Sequence, residues 1–104
     1  MTVRVGDRVI ADTRRALRLS EASYPHVFYV PRDDAQMLLL VRSDHRTYCP
    51  YKGECSYFNL RSGKNGVNAV WSYEQPYPAV AAIKDYLAFY PDRVVIEAEK
   101  PQPQ

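Results

Sequence analysis

The sequence predicts a small, mainly β, antiparallel domain, and three observations carry that prediction. Tyr24 to Pro31, YPHVFYVP, is a β-branched and aromatic run bounded by prolines, which suits a strand. Cys55 to Leu60 sets Cys55, Tyr57 and Asn59 against Ser56, Phe58 and Leu60, the two-residue period of a half-buried strand. Asn65-Gly66, the strongest short turn signal in the chain, then sends Val67 to Tyr73 back alongside it, with Ala69, Trp71 and Tyr73 on one face.

The chain has 104 residues, which fit one domain over residues 1–99 and bury roughly 60 to 65% of the surface of the unfolded chain. Residues 100–104, KPQPQ, have the composition of a disordered tail. Fourteen basic side chains stand against twelve acidic ones, and they are scattered. A nucleic-acid reader carries a basic stripe, so a nucleic-acid partner is not expected. Two cysteines make no disulfide framework, and no apolar stretch reaches the length of a signal peptide or membrane span. A soluble, cytoplasmic protein without a membrane partner is expected.

In chain order, VRVGDRVIAD reads as a hairpin around Gly6 and Asp7. Thr13 to Leu19 continues with Ala16, Leu17 and Leu19 as packing positions. Arg14, Arg15 and Arg18 between them form a candidate anion-binding edge or a solvated strand face. Arg14 and the nearby Glu21 are candidate ligand-binding residues; Glu21 alternatively pairs with one of the arginines. In the Tyr24–Pro31 strand, alternation puts Val27 and Tyr29 on one face and Phe28 and Val30 on the other. His26 reads as a surface or hydrogen-bonded residue. Asp33 or Asp34 is placed to cap a short helix through Met37, Leu38 and Leu40, although MLLLV also suits a buried strand. In the last third, Pro78, Ala79, Val80, Ile83, Tyr86, Leu87 and Tyr90 fit an amphipathic helix, while YLAFY and VVIE are both good strands.

The densest chemistry lies in TYCPYKGECSY, residues 47–57, which holds both cysteines and three of the nine tyrosines. Pro50 pushes Cys49 toward an extended conformation at a strand end, and Gly53 permits a tight reversal. Lys52 folded back on Cys49 favours the thiolate, making Cys49 a candidate nucleophile and Lys52 a candidate catalytic partner, with Tyr51 or a water as the alternative proton partner. The competing reading treats both cysteines as small buried hydrophobes. His26, His45, Cys49 and Cys55 lack the close pairs of a structural zinc site, so no metal and no cofactor are expected. Gly63-Lys64 does not make a phosphate loop, because the upstream glycine is missing and Asn65 stands where Ser or Thr would hold magnesium.

CPYKGECSY, with YPHVFYVPRDD before it and NAVWSYEQPYPAVAAIKDYLAFYPDRV after it, resembles the bacterial family named domain of unknown function 427, which carries a nucleotidyltransferase-like label. The resemblance runs from Val9 to Ile96. It includes Glu21, Tyr24, Pro25, Tyr29, Pro31, Asp34, Thr47, Cys49, Pro50, Tyr51, Lys52, Gly53, Tyr57, Trp71, Tyr73, Phe89 and Tyr90. It implies a β-tent, two sheets leaning together over a pocket, with one or two short helical turns. It also implies a brief helical turn near Met37, little helix after Pro78, and a hairpin around Pro91-Asp92.

If Tyr29, Tyr57, Trp71 and Tyr73 converge around Cys49, they line an aromatic pocket rimmed by Tyr51, Lys52 and an arginine. Aromatic faces take planar rings or cations, so a nucleotide-like molecule or an amine is the expected ligand. A binding module, a thiol-dependent enzyme using Cys49, and a nucleotidyltransferase all stay open. A homodimer is compatible with exposed tyrosines and an edge strand.

Overall fold

The computed structural model describes residues 1–20, 26–61 and 65–97. Among the described residues, nine strands form three antiparallel sheets: β1 (Thr2–Val5), β2 (Arg8–Asp12), β3 (Leu17–Leu19), β4 (Val27–Tyr29), β5 (Leu40–Cys49), β6 (Gly53–Leu60), β7 (Val70–Ser72), β8 (Ala88–Phe89) and β9 (Val95–Glu97). The sheet orders are β2-β1-β9, β3-β4 and β5-β6-β7-β8. Val30 and Leu87 exchange backbone hydrogen bonds of 2.7 and 2.8 Å. That one bridge fastens the β3-β4 pair to the β8 edge of the four-stranded sheet, leaving two β layers where the tent topology implies two sheets.

The side chains fall into two apolar clusters that follow the alternation read for β4 and β6, whereas Ala69 packs in the first cluster and Trp71 and Tyr73 in the second, so these three do not share the one face expected of them. Phe28, Val30, Phe58, Leu60, Val70 and Phe89 join Val3 and Ile10 of the β2-β1-β9 sheet. Val27, Tyr29, Cys55, Tyr57, Tyr73 and Ala88 form the second cluster, with Leu17, Leu19 and Ile83. Strands β6, β7 and β8 of the large sheet are therefore buried on both faces, as covered strands are, whereas β5 is largely exposed. The β6–β7 turn closes through Leu60 N–H donating to the Gly66 carbonyl at 2.8 Å. A Cβ on Gly66 would lie 2.7 Å from the Leu60 carbonyl, so a larger residue cannot take that place without moving the turn.

The Pro91-Asp92 hairpin and the aspartate cap are not found, while the scarcity of helix after Pro78 and the brief turn near Met37 are as the resemblance implies. Pro91-Asp92 does make a turn, with Arg93 N–H donating to the Tyr90 carbonyl at 2.9 Å. It joins no hairpin, because β8 pairs with β7 while β9 crosses to β1. Strand propensity marks what pairs and is silent on the partner. The helix-like periodicity after Pro78 is spent on a 3-10 stretch, Pro78–Ile83, whose one buried residue is Ile83. Near Met37 there are two 3-10 turns, Arg32–Asp34 and Met37–Leu39, and neither has a side-chain cap. Leu38 is 88% exposed, and Leu40 opens β5. Asp34 is drawn away from any capping role by Thr13 Oγ1 at 2.6 Å and by both Arg15 donors at 3.1 and 3.2 Å.

Over the β5–β7 face, Glu74 gathers Arg32 at 2.9 Å and both terminal nitrogens of Arg42 at 2.8 Å. The Arg42 hydrogen bonds, with those of Ser56 and Arg32, outweigh burial and pull the Glu74 carboxyl down to about 2. A depressed carboxyl stabilises the fold above its unfolded pKa, and that stability is lost as pH falls through the range from 4.5 to about 2. Glu74→Gln is therefore expected to remove about 1–2 kcal/mol at pH 7, after screening by water, and to flatten acid unfolding between those limits. Urea titrations at pH 7 and pH 3 read the difference; equal losses at both would contradict it.

Candidate functional site

The β5–β6 connection places the lysine. Cys49 ends β5 opposite Gly53, which begins β6, so Pro50, Tyr51 and Lys52 make the turn. Gly53 holds φ +110°, a conformation that side chains with a Cβ rarely adopt. Lys52 N–H donates to the Cys49 carbonyl at 3.2 Å, and the Lys52 carbonyl accepts from Tyr77 N–H at 2.9 Å. The turn is thus pinned on both sides. Tyr51 projects from its tip, while Lys52 folds inward until only 8% is exposed. Its Nζ stands 3.9 Å from Cys49 Sγ, the fold-back that the sequence suggested.

Behind the turn lies a cavity of about 890 Å³. Tyr29, Tyr57, Trp71, Tyr73 and Lys52 all line it, so four aromatic residues and the lysine singled out in the sequence converge. Strand pairing explains part of this, since Tyr57 of β6 lies directly across from Trp71 of β7. Trp71 rests on Tyr90 with ring centroids 4.5 Å apart. The Tyr57 hydroxyl is 2.9 Å from Thr47 Oγ1, and its ring meets His45 edge-on at 4.6 Å. Burial pushes the Tyr57 and Tyr73 phenols well above their ordinary value, so both remain neutral hydrogen-bonding groups.

The remaining candidates fall elsewhere. Cys49 is half-buried and packs on the same cluster as Tyr57, but it does not line the cavity. Tyr51 is 79% exposed and stands outside it. Arg14 lines a separate shallow depression with Asp12, Thr13, Arg15 and Asp34. The arginine edge is partly occupied there, since Arg15 is committed to Asp34. Glu21 lies outside the described residues. Cys55 is 1% exposed, and burial raises its thiol, which leaves it protonated and unreactive.

Sequence reasoning missed several lining residues, notably His26, Phe28, Phe89 and Ile96. His26 lies against the cavity while its Nδ1 meets Ser20 Oγ at 2.6 Å. No local pattern announces these side chains. They arrive through the β8 to β9 crossover and through the single bridge that sets β4 beside β8. Among the described residues, no group of three or more His, Cys, Asp or Glu side chains is placed to hold a metal ion. None of the described helices is long and apolar enough to cross a membrane.

Fold and site together define a small, mainly β domain with an aromatic cavity and one buried lysine at its wall. The family model described as a domain of unknown function (DUF427) matches residues 1–100, and the chain belongs to that family. No curated protein shows a significant match to the chain.

Proposed function

We propose that this domain binds a small planar molecule, a nucleotide-like or amine-bearing ring, in the aromatic cavity, and does so in the cytoplasm. The cavity carries the reading: its volume of about 890 Å³ lies within the range of small-ligand sites, with Tyr29, Tyr57, Trp71 and Tyr73 as stacking faces and Lys52 as a polar anchor. Free Cys49 and Cys55 suit a reducing compartment.

A second reading, a thiol-dependent enzyme, is favoured by the 3.9 Å approach of Lys52 Nζ to Cys49 Sγ. It is the weaker of the two because Cys49 lies outside the cavity lining. Nucleotidyl transfer would need convergent carboxylates for magnesium, and of the adjacent pair Asp33-Asp34, Asp34 is already engaged by Thr13 and Arg15.

A thermal-shift panel of nucleosides, nucleotides, aromatic acids and aromatic amines, with and without magnesium, tests the proposal. One chemical class is expected to raise Tm by about 5–10 °C at ten times its Kd, where binding contributes about 1.4 kcal/mol. Cys49→Ser is expected to keep that shift. Loss of the shift in Cys49→Ser would transfer the reading to thiol chemistry, and silence across the panel would overturn both.

A further inference from the structure

We propose that Cys49 and Lys52 are an oxidation-dependent modification site, in which a hydroperoxide drives formation of a covalent bond between Cys49 Sγ and Lys52 Nζ. The atoms are already neighbours. Nζ and Sγ lie 3.9 Å apart across a turn whose backbone is fixed by the Lys52–Cys49 and Tyr77–Lys52 hydrogen bonds. Cys49 is half-buried, so a small peroxide reaches it, whereas Cys55 is sealed at 1% exposure.

The chemistry has two balanced steps. The Cys49 thiolate attacks the terminal oxygen of the hydroperoxide, giving a sulfenic acid and releasing an alcohol or, from hydrogen peroxide, water; sulfur loses two electrons and the peroxide gains them. The Lys52 nitrogen, having given one proton to solvent, then attacks that sulfur with its lone pair. The S–O bond breaks, and the departing hydroxide takes the second nitrogen proton as water. Net, one hydrogen leaves sulfur and one leaves nitrogen. A thiol reductant reverses the bond by attack on sulfur, returning the amine and leaving a mixed disulfide that a second thiol resolves.

The usual fate of such a sulfenic acid is a disulfide, and strand register opposes that here. Cys55 pairs with Thr47 while Cys49 pairs with Gly53, so the two cysteines are diagonal neighbours. Diagonal positions lie about 7–8 Å apart, beyond the usual Cα span of a disulfide. The lysine is the nearer nucleophile. Because Lys52 lines the cavity, the bond also removes a positive charge from its wall, a consequence that rests on the ligand-binding reading.

Peptide mapping of the full-length protein after brief treatment with hydrogen peroxide decides the matter, with remaining thiols blocked before trypsin. The expected result is loss of about 2 Da and loss of tryptic cleavage after Lys52, both restored by a thiol reductant and both retained in Cys55→Ser. Lys52→Arg, which keeps the charge, is expected to form no such bond, so that Cys49 passes through the sulfenic acid to the sulfinic acid. Cleavage after Lys52 that persists in oxidised wild-type protein, whether Cys49 is found as a disulfide with Cys55, as sulfinic acid or unmodified, overturns the proposal. The wild-type map needs no variant to fold. Ligand-induced stabilisation measured on the same untreated sample reports separately on the cavity, so either reading can fail without the other.

Discussion

Phe58→Ala is expected to cost about 3–5 kcal/mol, the largest loss of any single substitution considered. Phe58 is 4% exposed in the middle of β6 and packs in the cluster between the two β layers. Its ring also carries a guanidinium on either approach, Arg32 at 5.4 Å and Arg42 at 4.9 Å from the centroid. Truncation therefore opens a cavity and removes the aromatic platform under the Arg32–Glu74–Arg42 cluster. Urea unfolding measures the loss, and Phe58→Leu, which restores most of the volume without the π face, is expected to recover more than half of it. A loss below about 1 kcal/mol for Phe58→Ala would show that the two layers do not meet at this ring.

Gly53→Ala is expected to cost about 1–3 kcal/mol, through backbone strain and a tight contact of the added Cβ. The backbone at Gly53 sits at φ +110°, and an added Cβ would come within 3.3 Å of the Gln75 carbonyl. The chain would relieve this by rotating the turn that holds Lys52. Gly53→Ala should then weaken ligand binding as well as stability, in contrast to Phe58→Ala, whose side chain does not line the cavity. Equal stability of wild type and Gly53→Ala in urea would contradict the assigned backbone.

Much of the fold was legible because the strands obey a period of two. The faces of Val27–Val30 and of Cys55–Leu60 were assigned from alternation, and the clusters separate along those faces; Tyr24 and Pro25 of the first run lie outside the described residues. What alternation cannot carry is partnership between strands. YLAFY and VVIE read as neighbours, yet a two-residue β8 and a three-residue β9 join different sheets, because each satisfies its backbone against an existing strand edge. The site shows the same division. Tyr57 and Trp71 were recoverable from one hairpin, and Lys52 from the Pro50–Gly53 turn chemistry. Phe89 and Ile96 were not, since only the crossover brings them to the cavity. Arg14 lies apart from the aromatic cavity, in a depression where Asp34 holds Arg15 and has its own carboxyl lowered by that contact.

The central claim, that the aromatic cavity holds a small planar molecule, is open to direct reading because Trp71 is the chain's one tryptophan and lines the cavity. Titrating the protein with nucleosides, aromatic acids and aromatic amines while following Trp71 emission is the most direct test. A saturable change for one class, with a Kd matching its thermal stabilisation and weakened about tenfold or more by Tyr73→Ala, is the predicted result. Emission that stays unchanged across all three classes in a folded sample would contradict the account.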